Sequence, residues 1–280
     1  MPKASSSPDT AQPAEGQMLD LSSPHAVRLA IRAGAFRQFT NQVAPGYVQG
    51  NLVVVPAAHA DDFAAYCAAN AQALPILGRS QPGDPHIPAL AEDLDLRTDV
   101  GSYMVFRDGV HVATPDQVAD IWRDDLVAFV LGCSFSFEAL LLAHGVRLRH
   151  LEEGSVSAMY VTNIDTAAAG PFGGKLVVSM RALSPPDAIT ATIVSARYPQ
   201  FHGRPLWIGD PGAIGVDLDH SYGGHGLTKL EPGELPVFWA CGATGQIAAL
   251  GAGLPFCITH HKAHMVVTDL RLPAKTGHES

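Results

Sequence analysis

The chain has 280 residues with 47% hydrophobic side chains, 27 glycines and 21 prolines, enough to bury a large core split between two subdomains with many turns. Its net charge of −9 excludes nucleic acid as a main partner, because phosphate binding draws on a basic surface. No stretch reaches the ~20 consecutive apolar residues of a membrane span, since the longest candidate, 126–142, is interrupted by Gly132, Ser134, Ser136 and Glu138.

Residues 1–20 begin rich in Ser, Pro and Ala, lack the apolar segment of a signal peptide, and are expected to form a disordered tail. Ser23 as N-cap and Pro24 at the first helical position predict a helix to residue 33. A strand is expected over 47–55, an alanine-rich helix over 60–70 and a short buried strand over 74–77. Pro82, Pro85 and Pro88 mark 80–99 as loop. Residues 103–112 read as a hairpin turning at Asp108-Gly109, and 116–122 as a short helix. Further on, strand 176–180, helix 185–197 and strand 205–208 form a β-α-β unit, right-handed if its strands are parallel. Residues 217–226 make a polar loop carrying His220 and His225, and 273–280 a polar C-terminal tail. The alternation of helices and strands gives the α/β class.

Two segments share one pattern. The apolar run 126–131 breaks at Gly132-Cys133-Ser134-Phe135-Ser136, followed by helix, and the run 237–240 breaks at Cys241-Gly242-Ala243-Thr244-Gly245-Gln246, again followed by helix. Backbone N–H groups at a helix start lack intrahelical partners and carry partial positive charge, so two such junctions suggest a site for a small anion. Two ordinary N-caps would give the same pattern. The four cysteines, 67, 133, 241 and 257, are far apart without CxxC or zinc spacing; free thiols in a reducing cytoplasm are expected. Cys67 reads as core, and Cys133 as a small pocket-lining residue rather than a nucleophile.

For proton transfer the strongest cluster is Thr259-His260-His261-Lys262-Ala263-His264, between two strands. If these strands form a hairpin, His260 and His264 flank its turn and face one cavity. A metal would need a third ligand, such as His220, His225 or Asp210, and no local spacing supplies one, so neither a metal nor an organic cofactor is expected. In an extended segment only one of Glu152 and Glu153 can point inward, where burial would raise its pKa and make it a base, while the other pairs with Arg147 or Arg149; a solvated acidic edge is an equal reading of the same pair. Glu138 suits the first turn of its helix through the dipole, Asp210 is equally a turn former, and the Lys262 region equally a polar surface turn.

These motifs resemble the YcsI-like family of bacterial hydro-lyases, grouped with the D-glutamate cyclases. The resemblance rests on Gly46-Tyr47-Val48-Gln49, Asp95-Leu96-Arg97-Thr98-Asp99, Trp122-Arg123-Asp124-Asp125, Gly132 to Glu138, Glu152-Glu153, residues 159–164, Gly209-Asp210-Pro211, and the Cys241 and His260–His264 segments. It covers about residues 45–269. The family pattern has Val and Pro where this chain has Ala243 and Gly245, and Ala-Pro-Gly where it has His261-Lys262-Ala263. The resemblance implies a lyase and a two-part fold: a larger three-layer α/β sandwich, residues 21–142 plus 232–272, and a smaller two-layer α/β unit, residues 143–231.

The resulting expectation is a cytoplasmic, homo-oligomeric carbon–oxygen lyase acting on a small carboxylic acid by acid/base chemistry, in the manner of a hydro-lyase or a glutamate-to-5-oxoproline cyclase. His260 or His264 would work with Glu152 or Glu153. Cys133, Ser134, Ser136, Gly242, Thr244 and Gln246 would bind carboxylate or oxyanion, with Arg97 or Arg123 as clamps and Asn163 and Asp210 completing the site. The alternative is a non-catalytic small-acid-binding protein or a regulatory subunit of a metabolic complex.

Overall fold

Helix α1 (Pro24–Arg32) starts as the sequence dictates: the Ser23 hydroxyl accepts the Ala26 N–H at 3.4 Å, and Pro24 occupies a position whose N–H would be orphaned anyway. The computed structural model describes residues 19–272; most of the expected N-terminal tail (1–18) and all of the C-terminal one (273–280) lie outside them.

The larger sheet has seven strands, β1 (Tyr47–Pro56), β2 (Ile76–Arg79), β3 (Tyr103–Arg107), β4 (Val110–Ala113), β5 (Leu126–Gly132), β10 (Cys257–His260) and β11 (Val266–Arg271). The smaller has four, β6 (Ala158–Asp165), β7 (Lys175–Leu183), β8 (Trp207–Ile208) and β9 (Leu235–Ala240), in the order β6-β7-β9-β8. Helices α2 (Ala57–Ala69), α3 (Phe135–Ala143), α4 (Arg149–Glu152), α5 (Pro185–Ser195) and α6 (Ala243–Gly251) complete a mixed α/β architecture.

The named strands pair antiparallel throughout. The expected β-α-β unit therefore takes another form: β7 and β8 run in the same direction, but β9 lies between them and pairs with both. β9 thus belongs to the smaller sheet, although the expected boundary placed residues 232–272 in the larger unit. The hairpin at Asp108-Gly109 forms as read, with φ of 49° and 75° at its two turn residues. The helix expected over 116–122 shrinks to one 3₁₀ turn at Ala119–Ile121.

One apolar core unites the sheets. Val53, Val55, Phe129 and Leu131 of the larger sheet meet Val178, Met180 and Phe238 of the smaller, with Phe63 and Tyr66 of α2 among them. The opposite face of the larger sheet is covered by the long loop, through Ile87, Leu90, Leu94 and Leu96. The opposite face of the smaller sheet packs on α3 and α5 through Leu183, Val237 and Trp239.

β1 is the axis of the larger sheet. One edge pairs with β5 from Gly50↔Gly132 to Pro56↔Leu126. On its other edge β10 pairs at Val53 and Val54, and β11 takes over at Gly50 and Gln49. β10 and β11 are therefore not a hairpin but two halves of one interrupted strand. Residues 261–265 bulge out between them, opposite Asn51 and Leu52. Thr40 pins the bulge: its N–H and hydroxyl both donate to the Ala263 carbonyl, at 2.9 and 3.1 Å, and its Oγ1 accepts the Met265 N–H at 3.0 Å. Ala263 sits at φ 62° in the left-handed region.

At the end of β5, a Cβ on Gly132 would run into the Gln200 carbonyl oxygen and press on Pro75. Gly132→Ala should therefore destabilise the fold by about 3 kcal/mol, read as a lower urea midpoint with an unchanged slope. An unchanged midpoint would show that this approach is not tight in solution.

Candidate functional site

The two Cys/Gly junctions meet. Cys133 and Ser134, at the start of α3, and Cys241, Ala243 and Gln246, at the start of α6, line one cavity of about 40 Å³ between the sheets. That volume holds roughly three water molecules, the scale of a carboxylate with a short carbon stub. Asn51, Ser179, His260 and Lys262 complete its polar wall.

Alternation along β7 places the central group. Leu176, Val178, Met180 and Ala182 face the shared core, so Ser179 and Arg181 fall on the face turned toward α3. Arg181 is 1% exposed and is spanned by the rings of Phe137 and Trp239, 4.9 and 5.3 Å from its guanidinium carbon. It donates to Glu138 Oε1 through Nε (3.0 Å) and Nη2 (2.5 Å), to Ser134 Oγ at 3.0 Å and to Ser179 Oγ at 3.1 Å. Both serine oxygens therefore accept from a cation, and neither hydroxyl donates to another described group. The two O–H bonds are left to point at a ligand in the cavity they line.

Glu138 also accepts from His150 Nε2 at 3.0 Å. Burial pushes its carboxyl up, but Arg181 and His150 outweigh burial and hold it below the usual carboxylate range, so it stays ionised. The charge of Arg181 is neutralised inside the protein.

His260 stands at the strand break. Its Nδ1 receives the Leu52 N–H at 3.1 Å and the Gln246 side-chain N–H at 3.2 Å, with the Leu52 carbonyl at 3.3 Å competing. The Gln246 amide is oriented by its second donation, at 2.9 Å to the His260 carbonyl, which can only accept. Two donors against one acceptor make Nδ1 the lone-pair nitrogen and put the ring proton on Nε2, the nitrogen without a described partner. Burial pushes this imidazole down to about 4, so at neutral pH it is an uncharged Nε2–H donor. Lys262, on the bulge, donates to the His225 carbonyl at 3.3 Å and has no carboxylate partner among the described residues. Burial lowers its ammonium to about 8. Burial drives the Cys133 thiol far above its ordinary value and also raises Cys241, so both thiols stay protonated as wall residues.

The other expected site residues lie elsewhere. The Glu152-Glu153 segment is helical rather than extended, and neither side chain is inward: Glu152 pairs with Arg147 and Glu153 with Arg149, each about half exposed. His264 turns away from the cavity, edge-on to Phe39 and stacked on His261 at 5.6 Å, because β10 and β11 continue one line instead of folding back. Arg97 is held by Asp95 and Arg123 by Asp125, so neither is a free clamp. Asp210 accepts the Gly212 N–H as a turn former, and Asn163 packs beside Gly215. Ser136 exchanges hydrogen bonds with the Gln49 backbone and Thr244 with Val177 and Cys241, both bracing the junctions from behind. A Cβ on Gly242 would collide with the Asn51 amide, so this glycine lets α6 approach β1. Arg181, Ser179, Asn51 and the inward role of Glu138 were missed. The signal was a two-residue period in strands otherwise apolar: Ser179 and Arg181 in β7, Gln49 and Asn51 in β1. Among the described residues no group of three or more His, Cys, Asp or Glu side chains could hold a metal ion, and no helix is long and apolar enough to cross a membrane.

The profile of the D-glutamate cyclase family matches residues 127–269. A protein of Verminephrobacter eiseniae named "Putative hydro-lyase" is 51% identical over 87% of this chain and 89% of its own length. Similar proteins of the same name occur in Bordetella petrii, 48% identical over 88% of this chain and 93% of its own, and Rhizobium johnstonii, 50% identical over 89% and 92%. A nitrogen repressor-like protein from Methanococcus jannaschii aligns with 89% of this chain and 96% of its own at 10% identity and a TM-score of 0.39, a likeness that carries no argument.

His202, His260 and His264 are all buried, and burial pushes each down to about 4. The folded protein keeps them neutral while the unfolded chain takes up protons below about pH 6.5, so their contribution is complete above that pH and is lost as pH falls. From pH 6.5 toward 5, unfolding free energy should fall with a slope approaching about 4 kcal/mol per pH unit, three protons' worth; a flat urea midpoint across this window would contradict it. Glu138→Gln, which leaves Arg181 buried against a neutral amide, should cost about 3–5 kcal/mol at pH 7, again read from the urea midpoint.

Proposed function

We propose that this chain, which belongs to the D-glutamate cyclase family, is a hydro-lyase for a small carboxylic acid held in the cavity between the two junctions. The observation that carries this reading is the Arg181 arrangement: a buried guanidinium takes up lone pairs of Ser134 and Ser179 and leaves both hydroxyls as donors facing the cavity. Donors oriented in advance stabilise negative charge without reorganising during the reaction.

Elimination of water removes a proton from carbon beside the carboxylate and breaks a carbon–oxygen bond. Lys262 is the base. At a pKa of about 8, roughly a tenth of its side chains carry a free amine at pH 7. The amine takes the carbon-bound proton, and the enolate-like charge spreads onto the carboxylate, where the serine O–H groups and His260 Nε2–H receive it. The Lys262 ammonium then passes the proton to the departing hydroxyl. Water leaves, the double bond remains, and the amine is regenerated. The neutral His260 is an electrophile in this scheme and not the base. Cyclisation of glutamate to 5-oxoproline also loses water from a carboxylic acid and would call on the same donors.

The test is a panel of short hydroxy acids and both glutamate enantiomers, incubated with the protein in D₂O and followed by NMR for water loss and deuterium at carbon. One acid should turn over, with a rate rising toward pH 8. Lys262→Gln should lower that rate by about 10²–10⁴-fold and flatten its pH dependence. Turnover equal in Lys262→Gln and parent would remove Lys262 as base. Tight binding of an acid without exchange or water loss in the parent would favour a non-catalytic acid-binding protein.

A further inference from the structure

The cavity between the two junctions also holds acceptors that a bound carboxylate leaves unused. Asn51 Nδ2 donates to the Gly132 carbonyl at 2.8 Å, and Gln246 Nε2 to the His260 carbonyl at 2.9 Å. A carbonyl can only accept, so each contact fixes which end of the amide carries the oxygen. Neither Asn51 Oδ1 nor Gln246 Oε1 has a partner among the described residues, and neither is sealed from solvent as Gln49 Oε1 and Glu138 Oε2 are. Asn51 is only 4% exposed and lines the cavity, so the open surface of its oxygen belongs to the cavity wall. Gln246 lines the same wall from α6.

Charge decides which donor these oxygens can serve. The wall contains no Asp or Glu, and its one charged side chain is Lys262. The nearby Glu138 already meets Arg181 and His150. An ammonium entering this space would give up its water, find no counter-charge and face a like charge, all of them costly. A hydroxyl bears none of these costs. We propose that the acid this cavity takes is a short 3-hydroxy acid, its hydroxyl donating to the amide oxygen of Asn51 or Gln246, and that amino acids are rejected. The inference rests on the hydro-lyase reading. Taking a proton from the carbon beside the carboxylate expels a group from the next carbon, which puts the departing hydroxyl on carbon 3. A hydroxyl that donates to an amide oxygen keeps its lone pairs for the proton that Lys262 returns. Glutamate, by contrast, would bring an ammonium that nothing in the wall neutralises.

Ligand-observed NMR titration of the full chain at pH 7 with 3-hydroxypropionate, 3-aminopropionate and propionate compares hydroxyl, ammonium and hydrogen on one skeleton. 3-Hydroxypropionate should bind about tenfold more tightly than propionate, the scale of one hydrogen bond to a prepared acceptor. 3-Aminopropionate should bind most weakly of the three. Gln246→Glu sets a carboxylate at one acceptor and should shift the preference toward 3-aminopropionate by about tenfold or more. Asn51→Asp makes the same change at the other acceptor if the first variant does not fold. Equal binding of 3-hydroxypropionate and propionate by the parent, or tighter binding of 3-aminopropionate, overturns the proposal and leaves the acid-binding reading standing. A preference unchanged in both variants also overturns it, because the amides would then not be its source. Binding of none of the three acids by the parent would overturn the acid-binding reading and this inference together.

Discussion

The buried pair of Arg181 and Glu138 is the constraint on which the rest of the site depends. A guanidinium taken out of water is costly unless its donors are used and its charge is met. Glu138 meets the charge, Ser134 and Ser179 take further donors, and Phe137 and Trp239 present ring faces. The pair also joins three elements: β7 through Arg181, the first turn of α3 through Glu138 and Ser134, and α4 through His150. A well-packed apolar trio of similar volume would often serve stability as well. What it could not do is orient two serine hydroxyls. The ion pair is thus understood as a positioning device whose charge cancels internally and whose effect in the cavity is carried by neutral O–H dipoles.

The second device is the interruption of the strand beside β1. Were β10 to run straight into β11, the Leu52 backbone would find its partners in the next strand. The bulge at residues 261–265 removes that partner, and the His260 ring receives the Leu52 N–H in its place. One substitution of side chain for backbone has two results. It keeps a buried donor paired, as burial demands, and it fixes which nitrogen of His260 carries the proton. The same bulge carries Lys262 to the cavity wall, so ring and amine are placed by a single break in the sheet.

Much of this was legible in the sequence, for identifiable reasons. The Ser23-Pro24 start, the Asp108-Gly109 hairpin and the two junctions are local features, decided by capping and turn chemistry within a few residues. That Cys133 and Ser134 share a cavity with Cys241 and Gln246 followed from recognising one pattern twice. The expected acid/base pairs are not brought together, because forming them needed pairing information that no local pattern contains. His264 belongs beside His260 only if β10 and β11 form a hairpin, and both strands instead lie along the same edge of β1. Glu152 and Glu153 alternate inward and outward only in a strand, and four residues of helix send both to surface arginines. Arg181 escaped notice for a different reason: the apolar run reads as a strand ending at residue 180, and only counting Arg181 with Ser179, two residues before it, carries the strand on to Leu183.

The two devices have compatible electrostatics. In the proposed reaction the base must lose its proton near neutral pH, and a carboxylate beside it favours the ammonium. A second uncancelled cation in the wall would bind the acid more strongly but would hold substrate and product alike, which does nothing for the chemical step. Neutral donors are better matched to the task, because their interaction grows as charge moves onto the carboxylate oxygens during proton removal. Burial of Lys262 and internal cancellation of Arg181 therefore serve the same end. The amine stays within reach of its free form, and the groups that meet the developing charge carry no net charge of their own.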